Sequence, residues 1–468
     1  MPDSLFDLPW EDRSPFRSGL IASEQGVLAE LPGASLYRLN LILADDRTHL
    51  EGEERIRYTN EEDVPLDEIY LRLFPNILGG STTILQAQID EQDVIPGYES
   101  ESSALRLPLA KPMQPGQQAV VRLAFAVEVP EGEGSNYAAF SYLEGVLALA
   151  HFYPVIPVYD DQGWNLDIPS PYGDMTFNDS SFYLVRVTAP SSLTLVASGV
   201  EIDRTQEGGE QRVTFAAGPM RDFYLVASEA YGIASQQVGE TAIHSYYIPG
   251  LEYGGRQALS YAEEALDLFS REFGTYPFTE FDIVSTATTA GGIEYPGITA
   301  IASRLYDPEN PDFASEYFEG TVAHETGHQW FYSLVGNDQV NEPWLDESLV
   351  QYLTLLYFQD AYGEPGWSGF SDSLYDRWDR VSRAQIPIGM PVASYTETEY
   401  GAIVYGRGPI FFMALAEAMG DSAFQAFLRD YYQTYRWGIA TTADLKSTAE
   451  AHCACDLTPL FEQWIYIQ

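Results

Sequence analysis

From Leu36 onward apolar and polar residues alternate in LYRLNLILAD, RIRYTN, IYLRLFPN and AVVRLAFAVEV, with the turn-rich stretches PGYESESS and QPGQQ between them. A period of two is the mark of strands with one buried face. The alternation continues through SFYLVRVTAP, SLTLVASGV, QRVTFAAG, RDFYLVAS and AIHSYYIPG, ending near Gly250. There the period changes. In RQALSYAEEALDLFSREFG, Leu259, Ala262, Leu266 and Phe269 recur at helical spacing, and Gly274 supplies a C-terminal stop. One more strand, FDIVSTAT, leads into AGGIEYPGITAIAS, and helices are predicted over about 315–335, 343–362, 408–418, 421–436, 441–452 and 457–466. Residues 1–33 carry Pro, Gly and charge without periodicity and read as an extended lead-in segment. The pattern therefore predicts a multidomain α+β chain: a lead-in over 1–33, an antiparallel β-rich domain over 34–249, and a mostly helical domain with a small β-sheet over 250–468.

Composition narrows this picture. A length of 468 residues exceeds what one hydrophobic core usually serves, and 45% hydrophobic with 14% aromatic content is that of folded domains. Acidic residues number 69 against 24 basic ones, and only Lys111 and Lys446 are lysines. A net charge of -45 repels phosphate, which argues against nucleic acid and anionic membranes as partners and leaves a strongly solvated acidic surface. No apolar run approaches the ~18 residues of a membrane span, so no integral membrane segment is expected. The opening MPDSLFDLPWEDRSPFRSGL lacks a signal-peptide core, yet a leader trimmed before Pro2 would leave this same sequence. A soluble chain is expected, with its compartment, including a secreted or cell-envelope one, left open. Cys453 and Cys455 are too few for a disulfide scaffold, and with His452 they lack the spacing of a metal cluster.

The chemistry lies in EYFEGTVAHETGHQWFYSLVG. His324, Glu325, Thr326, Gly327 and His328 form an HExxH set inside a helical pattern. Residues four apart stand one turn above each other, so both imidazoles project from one face and can share a metal, while Glu325 can take a proton from the attacking water. Ordinary helix histidines are the plainer reading, but the chain has six His in all and two fall at this spacing around a Glu. A catalytic zinc takes three protein ligands and keeps one position open. Glu347 in PWLDESLVQYL, 19 positions after His328, lies far enough on for a second helix to return past the metal. Its neighbours Trp344, Leu345, Leu349 and Leu353 mark an inward face, where a carboxylate needs a partner.

HExxH followed after eighteen residues by Glu within W-L-x-E resembles the M1 metallopeptidases, the gluzincin aminopeptidases. Two further segments are similar to motifs of that family. Gly291-Gly292-Ile293-Glu294-Tyr295 resembles its G-x-M-E-N exopeptidase motif, with Ile293 in place of Met and Tyr295 in place of Asn; Tyr405 in VYGRGPIFF resembles its catalytic tyrosine. Arg407 stands where the family commonly has Lys.

The resemblance implies a saddle-like N-terminal β-sandwich followed by a thermolysin-like catalytic domain, without the large helical C-terminal domain of many members. It implies one Zn2+ per chain on His324, His328 and Glu347, with Glu325 as general base and Tyr405 donating to the oxyanion. Gly291 and Gly292 would let a strand edge approach the substrate backbone, and Glu294 would bind its ammonium. Expected partners are peptides with a free N-terminus. A gluzincin endopeptidase and a non-catalytic peptide-binding protein on the same scaffold are the alternatives. Oligomeric state and preferred N-terminal residue are not legible in the sequence.

Overall fold

The computed structural model describes residues 5–310 and 316–466. Contacts within the chain divide it into two compact units, the first comprising Met1–Ile168, Asn178–Leu259 and Pro277–Asn310, the second Pro169–Phe177, Ser260–Tyr276 and Pro311–Gln468.

The first unit is built of sheets. The largest has eight strands, in the order Val200–Glu207, Glu210–Met220, Ser181–Pro190, Leu36–Leu43, His49–Thr59, Gln118–Glu128, Ser81–Ile89 and Gln92–Asp93. The alternation produces it directly: Leu50, Ile56, Val121, Leu123, Phe125 and Val127 are all buried, while Glu51, Glu53 and Arg122 between them face outward. One pairing, Leu36–Leu43 with Ser181–Pro190, is parallel, so the sheet is not purely antiparallel. Residues 5–33 form compact turns rather than extended chain. A 3-10 turn over Ser14–Gly19 and the one-turn helix Val27–Glu30 lie in this stretch, where Phe6 and Phe16 are buried against Phe182 and Leu184.

A five-stranded sheet of the same unit contains β1 (Gly232–Val238), β2 (Thr241–Tyr247), β3 (Glu280–Thr286), β4 (Gly292–Tyr295) and β5 (Ile298–Ala302), ordered β1-β2-β3-β5-β4. β2 runs parallel to β3, which requires a crossover, and helix α1 (Glu252–Glu272) supplies it. Ile293, Tyr295, Ile298 and Ala300 pack with Val146, Val196 and Val226 of a four-stranded sheet, and with Tyr224 just before its strand Leu225–Ser228, to make one core.

The second unit is helical: α2 (Glu316–Gly327), α3 (Glu347–Tyr362), α4 (Glu364–Asp379), α5 (Glu397–Ala402), α6 (Gly408–Met419), α7 (Asp421–Tyr435), α8 (Thr442–Cys453) and α9 (Thr458–Trp464). The predicted start of α2 at 315 lies outside the described residues. Its end falls at Gly327, eight residues before the predicted end at 335. Gln329 and Trp330 turn to i−3 hydrogen bonds, Tyr332 adopts a φ of 118°, and Phe331 pairs with Val335. Helix α4 was not predicted. Pro365, Gly366 and Gly369 weaken its propensity, but Gly366, Phe370, Leu374 and Trp378 form a buried stripe four residues apart. The run Glu397–Met419 is apolar, with mean hydropathy 1.2, and 61% of its most apolar stretch is buried within the protein, as in a core helix.

Candidate metal centre

Helices α2 and α3 cross closely because the small residue between the two histidines permits it: a Cβ on Gly327 would lie 2.9 Å from Val350 Cγ1. His328 follows the last residue of α2, yet its N–H still bonds the His324 carbonyl at 3.2 Å, so the one-turn projection of both rings is kept. Glu347 opens α3, where Asp346 caps the helix by accepting from the Glu347 N–H at 2.8 Å. Asp346 is in turn held by the Gln339 amide at 2.8 Å.

The three side chains converge. His324 Nε2 lies 3.0 Å from Glu347 Oε2 and 3.1 Å from His328 Nε2, and His328 Nε2 lies 3.4 Å from the same carboxylate oxygen. All three residues are buried. His328 Nδ1 lies 3.1 Å from the Phe331 carbonyl. Donation there places the proton on Nδ1 and leaves Nε2 with its lone pair toward the cluster. Burial pushes the His324 imidazolium down to about 4, with the charges of His328 and Arg377 acting the same way against the Glu347 carboxylate. Burial opposes ionisation of Glu347, but without an ion the positive charge on His328 and hydrogen bonds from both histidines outweigh it and hold its carboxyl well below the usual range; a metal would replace those protons and leave the Nε2 lone pairs as ligands. A neutral imidazole, a second Nε2 lone pair and a carboxylate aimed at one point form the donor set of a tetrahedral zinc site with an open position. The residues present therefore fit the ion.

Tyr405 joins this cluster, its hydroxyl donating to Glu347 Oε1 at 2.5 Å. The local backbone explains how. Ile403–Arg407 is a single π-helical turn, a form that favours functional positions. Ser348 of α3 pins it by donating to the Val404 carbonyl at 2.6 Å. Burial first, then Glu347, pushes the Tyr405 phenol well above its ordinary value, so it remains a proton donor at neutral pH. Glu325 is buried on α2 beside His324.

One residue was missed in the sequence. Arg377, half-buried on α4, has its Cβ against the Tyr405 turn, 3.0 Å from where a Cβ on Gly406 would stand. Its charge acts on His324, Glu347 and Tyr405. Nothing in LYDRWDR signals this, because the helix that aims it was itself unpredicted.

Gly291, Gly292 and Glu294 belong to the first unit. Ile293 and Tyr295 point into its core, where Tyr295 stacks on Tyr224 at 3.9 Å and 7°. Glu294 takes the opposite face of β4 and is 5% exposed. The aromatic at 295 is thus a core residue. Arg407 is fully buried and donates to the carbonyls of Ile386, Gln463 and Trp464, a structural role. His151 is buried with its Nδ1 2.8 Å from Asp222 Oδ2. Cys453 and Cys455 are joined by a disulfide and His452 bonds Asp430 at 2.9 Å, so this group is not a metal cluster.

Residues 257–464 match the Peptidase family M1 domain. The chain is 26% identical over 299 residues to Aminopeptidase 2 of Candida albicans, covering 61% of this chain and 32% of that one. It is 26% identical over 370 residues to Aminopeptidase M1-B of Oryza sativa subsp. japonica, covering 74% and 42%. The chain thus spans about a third to two fifths of the length of these relatives. In structure it is similar to an M1 zinc metallopeptidase from Deinococcus radiodurans, with a TM-score of 0.70 at 21% identity over 92% of this chain and 93% of that one. A form of that protein bound to a Tyr-Ser-Ala substrate gives 0.69 at 21% identity, over 93% and 94%. At this identity the likeness speaks for the fold.

Proposed function

We propose, from the match of residues 257–464 to the Peptidase family M1 domain, that the chain is a zinc-dependent aminopeptidase removing N-terminal residues from peptides. The observation that carries this reading is the convergence of His324, His328 and Glu347 within 3.4 Å of one another, with the Tyr405 hydroxyl on the same carboxylate. His324, His328 and Glu347 would hold the ion, which when bound supplies Lewis-acid polarisation and a water of pKa about 7.

The protein's own groups do the rest. Glu325 takes the proton of the attacking water and returns one to the leaving amine. Tyr405, protonated at neutral pH, donates to the oxyanion as the scissile carbonyl becomes tetrahedral. Glu294 supplies the carboxylate for the substrate ammonium, an assignment supported by the motif Gly291-Gly292-Ile293-Glu294.

The test is chromophore release from free and N-acetylated aminoacyl and peptidyl substrates, with and without a chelator, using Glu325→Gln as control. Chelator-sensitive cleavage of free substrates alone is expected. Cleavage of acetylated peptides would transfer the protein to the endopeptidases, and bound zinc without turnover would favour a peptide-binding scaffold.

A further inference from the structure

A second donor cluster lies in the first unit, and it rests on strand register. His244 of β2 stands opposite Asp282 of parallel β3, and Ala242 opposite Glu280. A period of two puts Glu280 and Asp282 on one face of β3, beside the His244 ring. One donor atom from each of the three residues lies within 4.8 Å of the others. The neighbouring strand β1 orients the ring: Ser235, paired with His244 in register, places its Oγ 2.7 Å from Nδ1. That leaves Nε2 facing Glu280 Oε2 at 3.9 Å.

Two features ask for a cation here. Asp282 is 1% exposed, and its Oδ1 is buried with no hydrogen-bond partner among the described residues. A buried acceptor without a donor is costly, and for a carboxylate more so. The carboxyl also opens on a cavity of about 310 Å³ that Glu280, Tyr231, Tyr246 and Phe215 line with it. Arg204 reaches the same cavity, but its guanidinium is committed to Glu201 and Gln211.

We propose that His244, Glu280 and Asp282 form a second metal site, taking a divalent first-row ion of the Zn2+ or Mn2+ type. One imidazole nitrogen with two carboxylate oxygens is a donor set for these ions and lacks the thiolates of softer ones. Donors ~2.1 Å from a tetrahedral ion stand roughly 3.4 Å apart, so modest rotation of the half-exposed Glu280 and His244 side chains closes the set. The Ser235 hydroxyl is the outer partner that metal-bound histidines usually have. Electrostatics agree: burial lowers the His244 pKa, favouring the neutral ring, while burial and then Glu280 lift Asp282, a repulsion that a cation would relieve. Bound there, an ion would tie β2 to β3, and the cavity would leave it an open position.

The measurement is Zn2+ stoichiometry by elemental analysis and calorimetric titration on chelator-stripped, full-length protein. The wild type is expected to bind two ions, and His244→Gln and Asp282→Asn one each, with the second ion at least tenfold weaker. His244 is half-exposed, so its variant keeps the test valid if Asp282→Asn misfolds in a thermal melt. Glu347→Gln distinguishes the sites. An ion that survives Glu347→Gln and disappears in the Glu347→Gln/His244→Gln double variant belongs to this cluster, whether or not the peptidase reading holds. Unchanged stoichiometry and affinity in His244→Gln and in Asp282→Asn would overturn the proposal.

Discussion

Gly408 sets how closely the turn carrying Tyr405 approaches α3, and Gly408→Ala tests that dependence. Two effects oppose each other. Gly408 has φ −60° and ψ −54°, ordinary helical backbone, so alanine alone would add about 1 kcal/mol of stability through helix propensity. The new Cβ, however, would stand 1.9 Å from Ser348 Oγ and 2.5 Å from Ser348 Cβ, where ordinary contact begins at 3.4 Å. Rotating the hydroxyl relieves the first clash but not the second, and rotation breaks the 2.6 Å bond to Val404 that pins the turn. Overpacking costs ~1–3 kcal/mol and the lost hydrogen bond ~1 kcal/mol more, so the clash wins by about 1–3 kcal/mol net. A displacement near 1 Å at Tyr405 should lower kcat about 10²-fold. The assays are a denaturant melt and turnover of a free-amine chromogenic substrate, each repeated with Ser348→Gly in the same chain, which removes both clashing atoms and should restore part of the loss. Wild-type stability and turnover in Gly408→Ala would refute the argument.

Tyr405→Phe should reduce kcat by about 10²–10³ with zinc content unchanged, since it deletes one oxyanion donor; an unaltered kcat would remove Tyr405 from the chemistry. Arg377→Gln should lower kcat/KM about tenfold at unchanged zinc content, because a half-buried cation whose charge acts on Tyr405 and Glu347 favours developing negative charge. In the metal-free protein Glu280 should contribute stability that is lost as pH rises from about 4.5 to about 7, opposite in sign to the gain from His324, lowered to about 4, over the lower part of that range. Burial and then Glu201 lift Glu280 to about 7, so the folded state holds a proton that the unfolded state releases earlier. Asp282 and His244 also face that carboxyl, and Glu280→Gln should flatten the slope in urea melts across this range; an equal slope in the variant would contradict the assignment.

How much of this was legible in the sequence depends on where the determining contacts lie. The strands were readable because period-two burial is local: Val121, Leu123, Phe125 and Val127 alternate within a single stretch. Helix α3 was readable for a similar reason, its buried Leu349, Val350 and Leu353 recurring on one face. Helix α4 failed because glycine, serine and proline obscure a stripe whose members are four residues apart but only partly apolar. With it went Arg377, whose placement follows from packing on the Tyr405 turn and from nothing adjacent in sequence.

The two donor clusters make the same point about chemistry. His324 and His328 announce themselves because a helix brings residues four apart together, and that relation is written in sequence spacing. Glu347 needs one further inference, that a second helix returns, and a run of apolar neighbours supports it. His244 and Asp282 have no such signature. They stand 38 positions apart and meet only because a parallel crossover through α1 sets β3 beside β2 in one particular register. A shift of that register by one residue would turn Glu280 and Asp282 to the opposite face relative to His244 and disperse the cluster. The unpartnered Asp282 oxygen therefore has meaning only in the folded sheet, which is why this site is visible in the structure and silent in the sequence.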